Sequence, residues 1–467
     1  MDVHVSLGRP GQLAADAYQQ LRAAILDGRL RPDARLPATR DLARRLAVSR
    51  NTIVEAYERL IAEGFAVGRV GAGTFVTAAP PPPRPRRAPP HSPLVPRAIY
   101  RAAEPPPDAR APYDFALGVP DPALFPWDVW RGLIARQWRG RRPVVGYAEA
   151  AGDPALRAAI ARHVGLARGI RAGADDIVIT SGAQQAFDLI ARAVLEPGQV
   201  AAVEEPGYPG ARRALAAAGA RVVGVRVDAD GLDVTALPDD ARLIHVTPSH
   251  QFPLGAPMSL ARRVELLAWA EARGAAIIED DYDSEFRFDG RPLEPLQCLD
   301  RRGHVLYVGT FSKVLSPSLR LGFVVAPGAL AAALASAKAC ADGHAPIEPQ
   351  RALAALIDDG QLARHVRRVG RIYRDRRARL LAALARELPE LAIVPSVAGL
   401  HVSAIADRHV DTAALVARAR AAGVAVHALA PYYAGRPRAG LALGYGLIPA
   451  PKIDAGVRRL AACLHDA

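Results

Sequence analysis

The chain has 467 residues, half of them hydrophobic and 23% charged, with a formal net charge of +13. That length exceeds one ordinary domain and predicts two or three. The positive excess fits a polyanion partner, with an arginine-rich surface that binds nothing as the other reading of charge alone. No apolar run reaches the roughly 20 residues that span a bilayer, and no basic-then-apolar leader opens the sequence. Three scattered cysteines (Cys298, Cys340, Cys463) argue against a disulfide framework or a zinc site, so a cytoplasmic protein without a metal is expected.

Ala17, Leu21, Ala24 and Ile25 recur at helical spacing and predict a first helix. Pro37 and Thr39 open a second, with Leu42, Ala43 and Leu46 on its buried face. A turn at Ala47–Val48–Ser49 leads to a third helix that runs to about Glu63 and stops at Gly64, with Val54, Tyr57 and Leu60 assigned to the core. Phe65–Val67 and Thr74–Thr77 read as short strands around the glycine-rich turn Gly68–Gly73. These elements make a winged helix-turn-helix, an α+β unit. Its third helix presents Ser49, Arg50, Asn51 and Thr52 at the end that enters a major groove in such motifs. Arg50 suits bidentate pairing with guanine, whereas Ser49 and Thr52 suit phosphate. Ser49 also reads as a plain helix N-cap, a role compatible with DNA contact. Arg44 and Arg45 read as a solvated face. The runs LPATRDLARRLAVSRNTIVEAYERLIAEG and GRVGAGTFV, within residues 12–77, resemble the GntR-type winged helix family. That resemblance implies that Arg40 contacts DNA and that Arg69, with the wing glycines, reaches the minor groove or the backbone.

The head is therefore expected over residues 1–78 and a linker over 79–111. PPPPRPRRAPPHSP and then EPPP cannot form a helix interior or a central strand, because proline lacks the amide hydrogen and clashes with the preceding turn. The stretch reads as a semi-rigid polyproline-like spacer. Its arginines (Arg84, Arg86, Arg87, Arg97, Arg101) either touch phosphates or are simply solvated.

From residue 112 to 467 short β-rich runs alternate with helical patterns. The runs are 175–180, 200–205, 221–227, 242–248, 275–281, 304–310 and 321–327; helices are expected over 183–195, 209–218 and 259–273. Such alternation predicts an α/β fold, a mostly parallel sheet with helices on both faces. From about 350 onward a long arginine-rich helix followed by VAGLHVSAI, GVAVHAL and GLALGYG predicts a smaller α+β lobe.

In α/β folds ligands gather at the carboxyl ends of the strands, and four clusters stand there. In HVLYVGTFSKVLSPSLRLGF, Lys313 directly follows an apolar strand in a chain with only three lysines. An amine in such surroundings suits imine formation with pyridoxal 5′-phosphate (PLP). Arg320 supplies charge for a phosphate dianion, with the hydroxyls of Thr310 and Ser312 nearby. In AAIIEDDYDSEFR, Asp280 suits the protonated pyridine nitrogen that lets PLP act as an electron sink, and Tyr282 suits its phenolic oxygen. Asp281 and Asp283 are the weaker choices, and a metal site is the other reading of these acids. Ser181, Gly182, Ala183 and Gln184 open a helix whose free amides form a phosphate cradle. Tyr208, in EEPGYPG, either stacks on the cofactor ring or packs as an ordinary loop aromatic.

Together with YDFALGVPDPALFPWDVWR, YAEAAGDPALR and TPSHQFPLG, these clusters resemble the fold-type I aminotransferases. In combination with the GntR-type head, the chain resembles end to end the MocR-type regulators, with their GabR-like and PdxR-like branches. The resemblance implies Lys313 as the Schiff-base lysine, Asp280 as the pyridinium partner and Tyr282 as donor to the phenolic oxygen. Ser181, Gly182, Ala183, Thr310, Ser312 and Arg320 would hold phosphate, with Tyr208 on the ring face. It further implies a head-to-tail homodimer in which Tyr147 reaches the other subunit's phosphate. Two positions depart from the aminotransferase pattern. Phe252 stands where an asparagine is usual, with His250 or Gln251 as the substitute. Gly440 lies near the place of the substrate-carboxylate arginine, with Arg436 and Arg438 slightly upstream. The expected function is a regulator that binds an operator in double-stranded DNA and senses PLP, or an amine or amino acid, through an aldimine at Lys313. The alternatives are a working aminotransferase with an appended DNA-binding head, and a regulator whose cofactor domain is only a dimerisation scaffold.

Overall fold

The computed structural model describes residues 13–77, 95–101, 111–139, 146–288, 293–407 and 409–465. Two compact units divide the chain, Met1–Arg97 and Ala98–Ala467. Most of the expected linker, including Arg84, Arg86 and Arg87, lies outside the described residues. Within the expected linker, the run between Pro96 and Pro105 lacks proline, and among its described residues a 3-10 turn forms at Ala98–Tyr100.

In the first unit, helix Leu13–Leu26 buries Ala17, Tyr18, Leu21, Ala24 and Ile25, the face that the apolar spacing predicted. Helix Thr39–Arg45 buries Leu42 and Ala43. Helix Arg50–Ala62 buries Ile53, Ala56, Tyr57 and Leu60. Ile53, rather than the expected Val54, joins the core, because 53, 56, 57 and 60 share one helical face and 54 sits at its margin. Between the last two helices Ala47 takes a left-handed conformation, φ 54°, which tightens the turn. The Tyr57 hydroxyl donates to Pro37 O at 2.8 Å and pins the third helix to the start of the second. Strands Ala66–Arg69 and Gly73–Val76 pair antiparallel, Ala66 opposite Val76 and Arg69 opposite Gly73. The reversal between them needs positive φ at Gly71 and Gly73 (74° and 112°).

The Ser49 side chain caps the third helix, accepting from Thr52 N at 3.1 Å. Ser49→Ala is expected to lower the stability of the head by about 1 kcal/mol. The check is thermal or urea unfolding followed by the head's helical signal, and an unchanged midpoint would contradict it.

The second unit is built on an eight-stranded sheet. Its spatial order is Ile177–Thr180, Gly322–Val325, Val305–Thr310, Ala276–Asp281, Ala241–Val246, Val200–Glu205, Arg221–Asp228 and Gly231–Leu232. Neighbours from Val305–Thr310 through Arg221–Asp228 run parallel. Gly322–Val325 is antiparallel to both its neighbours. The seven β-rich runs all form strands; the two-residue edge strand Gly231–Leu232 is too short for any periodic signal. Alternate residues feed opposite layers. Val203, Leu243, Ile278 and Val308 pack against helices Ala183–Val194 and Pro209–Ala217, while Ala202, Ile244 and Ile277 pack against helix Leu260–Arg273.

The small lobe follows the 27-residue helix Gln361–Glu387. Its sheet runs in the order Ala392–Ile393, His401–Ile405, Gly440–Gly444, His427–Ala428. Tyr113–Asp114, near the start of the unit, pairs in parallel with Val424–Ala425 and so ties the beginning of the second unit to the lobe. Among the described residues no helix is long and apolar enough to cross a membrane.

Candidate functional site

The first three strands of the sheet order, and Ala276–Asp281 beside them, carry loops that converge on one cavity of about 510 Å³. Lys313, Asp280, Tyr282, Thr310, Ser312 and Arg320 all line it, with Ala183 and Tyr208 opposite. Residues far apart in sequence thus meet because their strands share an edge.

Lys313 leaves the end of Val305–Thr310 and donates from Nζ to Gly118 O at 2.7 Å. A Cβ on Gly118 would sit 2.6 Å from Nζ, so a side chain there would push the end of the lysine from this place. Burial pushes the amine's pKa down; Asp283 and Asp280 partly restore it, and Arg320 lowers it further. A depressed pKa leaves more free amine, the nucleophilic form.

Asp280 is buried, and burial raises its pKa against the pull of His245 and Lys313. Its Oδ2 lies 3.5 Å from His245 Nε2, and its Oδ1 has no hydrogen-bond partner. The neighbouring acids are engaged elsewhere. Asp281 pairs with Arg168 at 2.9 Å and accepts from the Tyr307 hydroxyl at 2.6 Å. Asp283 meets His250 at 3.1 Å. Asp280 therefore offers a buried acceptor oxygen to the cavity, the feature that a protonated ring nitrogen requires.

Elsewhere on the cavity an arginine meets the start of a helix. Gly182, φ 80°, caps helix Ala183–Val194 without any side-chain hydrogen bond, so the helix's first amides are free for an anion. A Cβ on Gly182 would meet the Arg320 guanidinium at 2.8 Å. Arg320 is itself left-handed, φ 51°, and donates to Ser181 O at 2.5 Å. Thr310 Oγ1 and Ser312 Oγ lie 3.0 Å apart beside it. Ser181 and Gly182 thus meet the site through backbone contact with Arg320 and do not line the cavity.

Other expected residues lie differently. Gln251 is buried and spends its amide on Pro206 O at 2.8 Å and Phe252 O at 2.7 Å, away from the cavity. Tyr147 is 97% exposed and lies outside the cavity of its own chain. Phe252, at the place of the usual asparagine, is the hub of an aromatic wall with Tyr208, Tyr282, His401 and Tyr432, at centroid distances of 5.3–5.9 Å. Arg436 and Arg438 line a separate cleft with Glu205 and Tyr433. Lys338, at first sight an ordinary helix lysine, is fully buried and held by Asp342 at 2.8 Å.

Sequence reasoning missed Gly118, Arg213, His401, His427 and Tyr432, all of which line the cavity. A signal existed for His401, because histidine and serine alternate with apolar residues in His401–Ile405, and one face of that strand is polar yet buried. Burial lowers the His401 pKa to about 3, so the ring is neutral.

On the head, Ser49, Arg50 and Asn51 are exposed and Thr52 half-exposed at the start of the third helix, and Arg40 is exposed on the second. Arg50 Nε lies 3.5 Å from Thr39 Oγ1. Arg69 is also exposed; it pairs with Asp33 at 3.0 Å and lies over the Phe75 ring at 4.5 Å.

Comparison with known proteins agrees with both units. Residues 127–441 match the family "Aminotransferase class I and II", and residues 13–76 match "Bacterial regulatory proteins, gntR family". The chain is 37% identical to the probable rhizopine catabolism regulatory protein MocR of Rhizobium meliloti, over 95% of this chain and 92% of that protein. It is also 37% identical to the HTH-type transcriptional regulator TauR of Rhodobacter capsulatus, over 98% of each. Among solved structures, LysN, the alpha-aminoadipate aminotransferase of Thermus thermophilus, superposes with a TM-score of 0.70 at 33% identity, covering 76% of this chain and 92% of that one.

Proposed function

The chain belongs to the MocR-type regulators, in which a gntR-family head is joined to an aminotransferase class I and II domain, and from that premise we propose that it senses PLP, or an amine or amino acid that reacts with it, at Lys313. It is a PLP-dependent transcriptional regulator: the head binds DNA and the larger domain takes PLP. The observation that carries the sensing role is the convergence of the Lys313 amine, the unpartnered Asp280 Oδ1 and the Arg320–Gly182 cradle in one cavity.

When bound, the cofactor supplies an aldehyde that condenses with an amine, and a ring that withdraws electrons. The roles of the chain's own residues follow from their places. Lys313 presents the amine, and Asp280 holds a proton at the ring nitrogen. Arg320, Thr310, Ser312 and the amides at Ala183 orient the phosphate. Tyr282 donates to the phenolic oxygen, and Tyr208 and Phe252 exclude water from the ring faces. Head 1–78, linker 79–111 and body 112–467 are the proposed domain bounds. A cytoplasmic head-to-tail homodimer, with Tyr147 serving the second subunit's phosphate, completes the proposal; Gln251 is assigned a supporting place behind Phe252. On the head, Arg50 and Asn51 read bases, while Arg40, Ser49, Thr52 and Arg69 grip the backbone.

Asp280→Asn is expected to weaken PLP retention roughly tenfold, because an amide cannot balance the charge of a protonated ring nitrogen. Equilibrium dialysis measures it, and undiminished retention would contradict the assignment. Footprinting upstream of this gene and its neighbours, with and without PLP and candidate amines, tests the function as a whole. A second reading, turnover as an aminotransferase, is favoured by the complete lysine, aspartate, tyrosine and arginine set. Steady-state transamination over a panel of amino donors and oxo acids decides it: robust turnover without operator binding would replace the sensing role.

A further inference from the structure

Behind Tyr282 lies a buried polar cluster for which the site as described has no use. His250, 2% exposed, places Nδ1 at 3.1 and 3.2 Å from the two Asp283 oxygens and at 2.9 Å from the Tyr282 hydroxyl. Its Nε2 lies 3.0 Å from Ser396 Oγ, in the small lobe. The Tyr282 hydroxyl also lies 2.9 Å from His250 O, to which it donates. Gly399 closes the pocket; a Cβ there would sit 2.0 Å from His250 Cε1.

Counting donors fixes the arrangement. Among the described residues the Asp283 carboxylate meets no donor but His250, and a buried carboxylate left without a donor is costly. Nδ1 therefore carries the hydrogen. The Tyr282 oxygen, on the same side of the ring, accepts a share of that N–H and gives its own proton to His250 O. A ligand oxygen arriving in the cavity can take the tyrosine's proton while the imidazole still holds the tyrosine oxygen from behind. A hydroxyl whose oxygen accepts one hydrogen bond is a better donor in the next.

We propose that His250 is a positioning residue, oriented by Asp283, that holds the Tyr282 hydroxyl and sets how strongly it donates into the cavity. The proposal rests on the reading that Tyr282 serves the cofactor's phenolic oxygen. It also fits a chain with Phe252 where an asparagine is usual, since the residue whose ring lies 5.9 Å from that of Tyr282 has no amide to share the task. The same side chains, with His401, lie close enough to suggest a metal site, their nearest donor atoms falling within 4.8 Å of one another. The hydrogen bonds argue otherwise, because both His250 nitrogens have protein partners and His401 Nε2 donates to Pro253 O at 2.9 Å.

The test uses the full chain loaded with PLP and follows the pH midpoint of its near-visible absorbance. A weaker donor at Tyr282 leaves more negative charge on the oxygen it serves, and the proton at Lys313 Nζ is then held to higher pH. The charges facing Nζ are Asp283, Asp280 and Arg320, and those facing Tyr282 are Asp283, Asp280, Glu204 and Asp281; substituting His250 touches Asp283 alone, and a shift that travels through Asp283 rather than Tyr282 survives in a Tyr282→Phe background. In His250→Asn the amide nitrogen falls near the place of Nδ1, and in His250→Gln near that of Nε2. His250→Gln should raise the midpoint by roughly one unit, while His250→Asn stays close to the parent. In a Tyr282→Phe background, His250→Gln should add no further shift. Equal midpoints for the parent and His250→Gln, or additive shifts in the double variant, would overturn the proposal, as would stoichiometric Zn²⁺ binding that depends on His250. If His250→Gln does not fold, as judged by melting of the unloaded protein, His250→Leu removes the same donor. A parent protein with no near-visible band would instead sink the cofactor assignment of Tyr282 and Lys313 together, a result distinct from an unshifted midpoint.

Discussion

Lys313→Ala is expected to abolish covalent retention of PLP and, with it, the near-visible absorbance of the loaded protein. Three features make the effect large. Among the described residues no other amine lines the cavity; Lys338 is fixed to Asp342, and Lys452 reaches Pro112 O at 3.4 Å. Burial already weakens the proton's hold on Nζ, so the reactive free amine is present at lower pH than for a surface lysine. And Gly118 leaves open the space that Nζ occupies. Arg320, Asp280 and the helix amides remain in the variant and still hold the cofactor non-covalently. Affinity should therefore fall by roughly a hundredfold, about 2.8 kcal/mol at ~1.4 kcal/mol per decade, rather than vanish. Equilibrium dialysis gives the affinity, and borohydride reduction followed by mass analysis gives the covalent adduct. An adduct retained at another lysine would displace Lys313 from the site.

Arg50→Ala should weaken operator binding by roughly ten- to a hundredfold and relax specificity at one base position. Arg50 is the first residue of the third helix, exposed, with a long contact to Thr39. It sits where a recognition helix meets base edges. Arg40→Ala is the control: a backbone contact should cost affinity on every sequence alike and shallow the salt dependence by about one charge. Anisotropy titrations on the operator and on single-base variants, at two salt concentrations, separate the two behaviours. An Arg50 variant with uniform losses would reassign that residue to the phosphate backbone.

Much of this was legible in the sequence because local patterns are short-range. Alternating apolar runs marked all seven main strands, and the lysine after Val305–Thr310 stood out in a chain nearly devoid of lysine. Asp280 could be preferred over Asp281 and Asp283 from its position, but only the structure shows why. Arg168 and Tyr307 both hold Asp281 Oδ2 and His250 occupies Asp283, and of the three acids Asp280 is the one that lines the cavity, with its Oδ1 unpartnered. What escaped depends on tertiary approach. Gly118 matters because a strand 195 residues later delivers Lys313 to its carbonyl. Phe252 reads as a lost asparagine in the sequence, and in space it gathers four aromatic or imidazole rings. His250, read as a substitute for that asparagine, lies one layer behind the cavity wall, because its ring nitrogens are taken by Asp283, Tyr282 and Ser396. Tyr147, expected to serve a second subunit, is exposed in its own chain, and no pattern within one chain tests that expectation.

If Lys313 is the sensor, DNA occupancy answers to chemistry at its amine. The most direct measurement is operator affinity for the parent and Lys313→Ala proteins, each with and without PLP and a panel of amines. The parent should change affinity on ligand addition, whereas Lys313→Ala should bind the operator with one affinity throughout. A Lys313→Ala protein that keeps the parent's full ligand response would contradict the account.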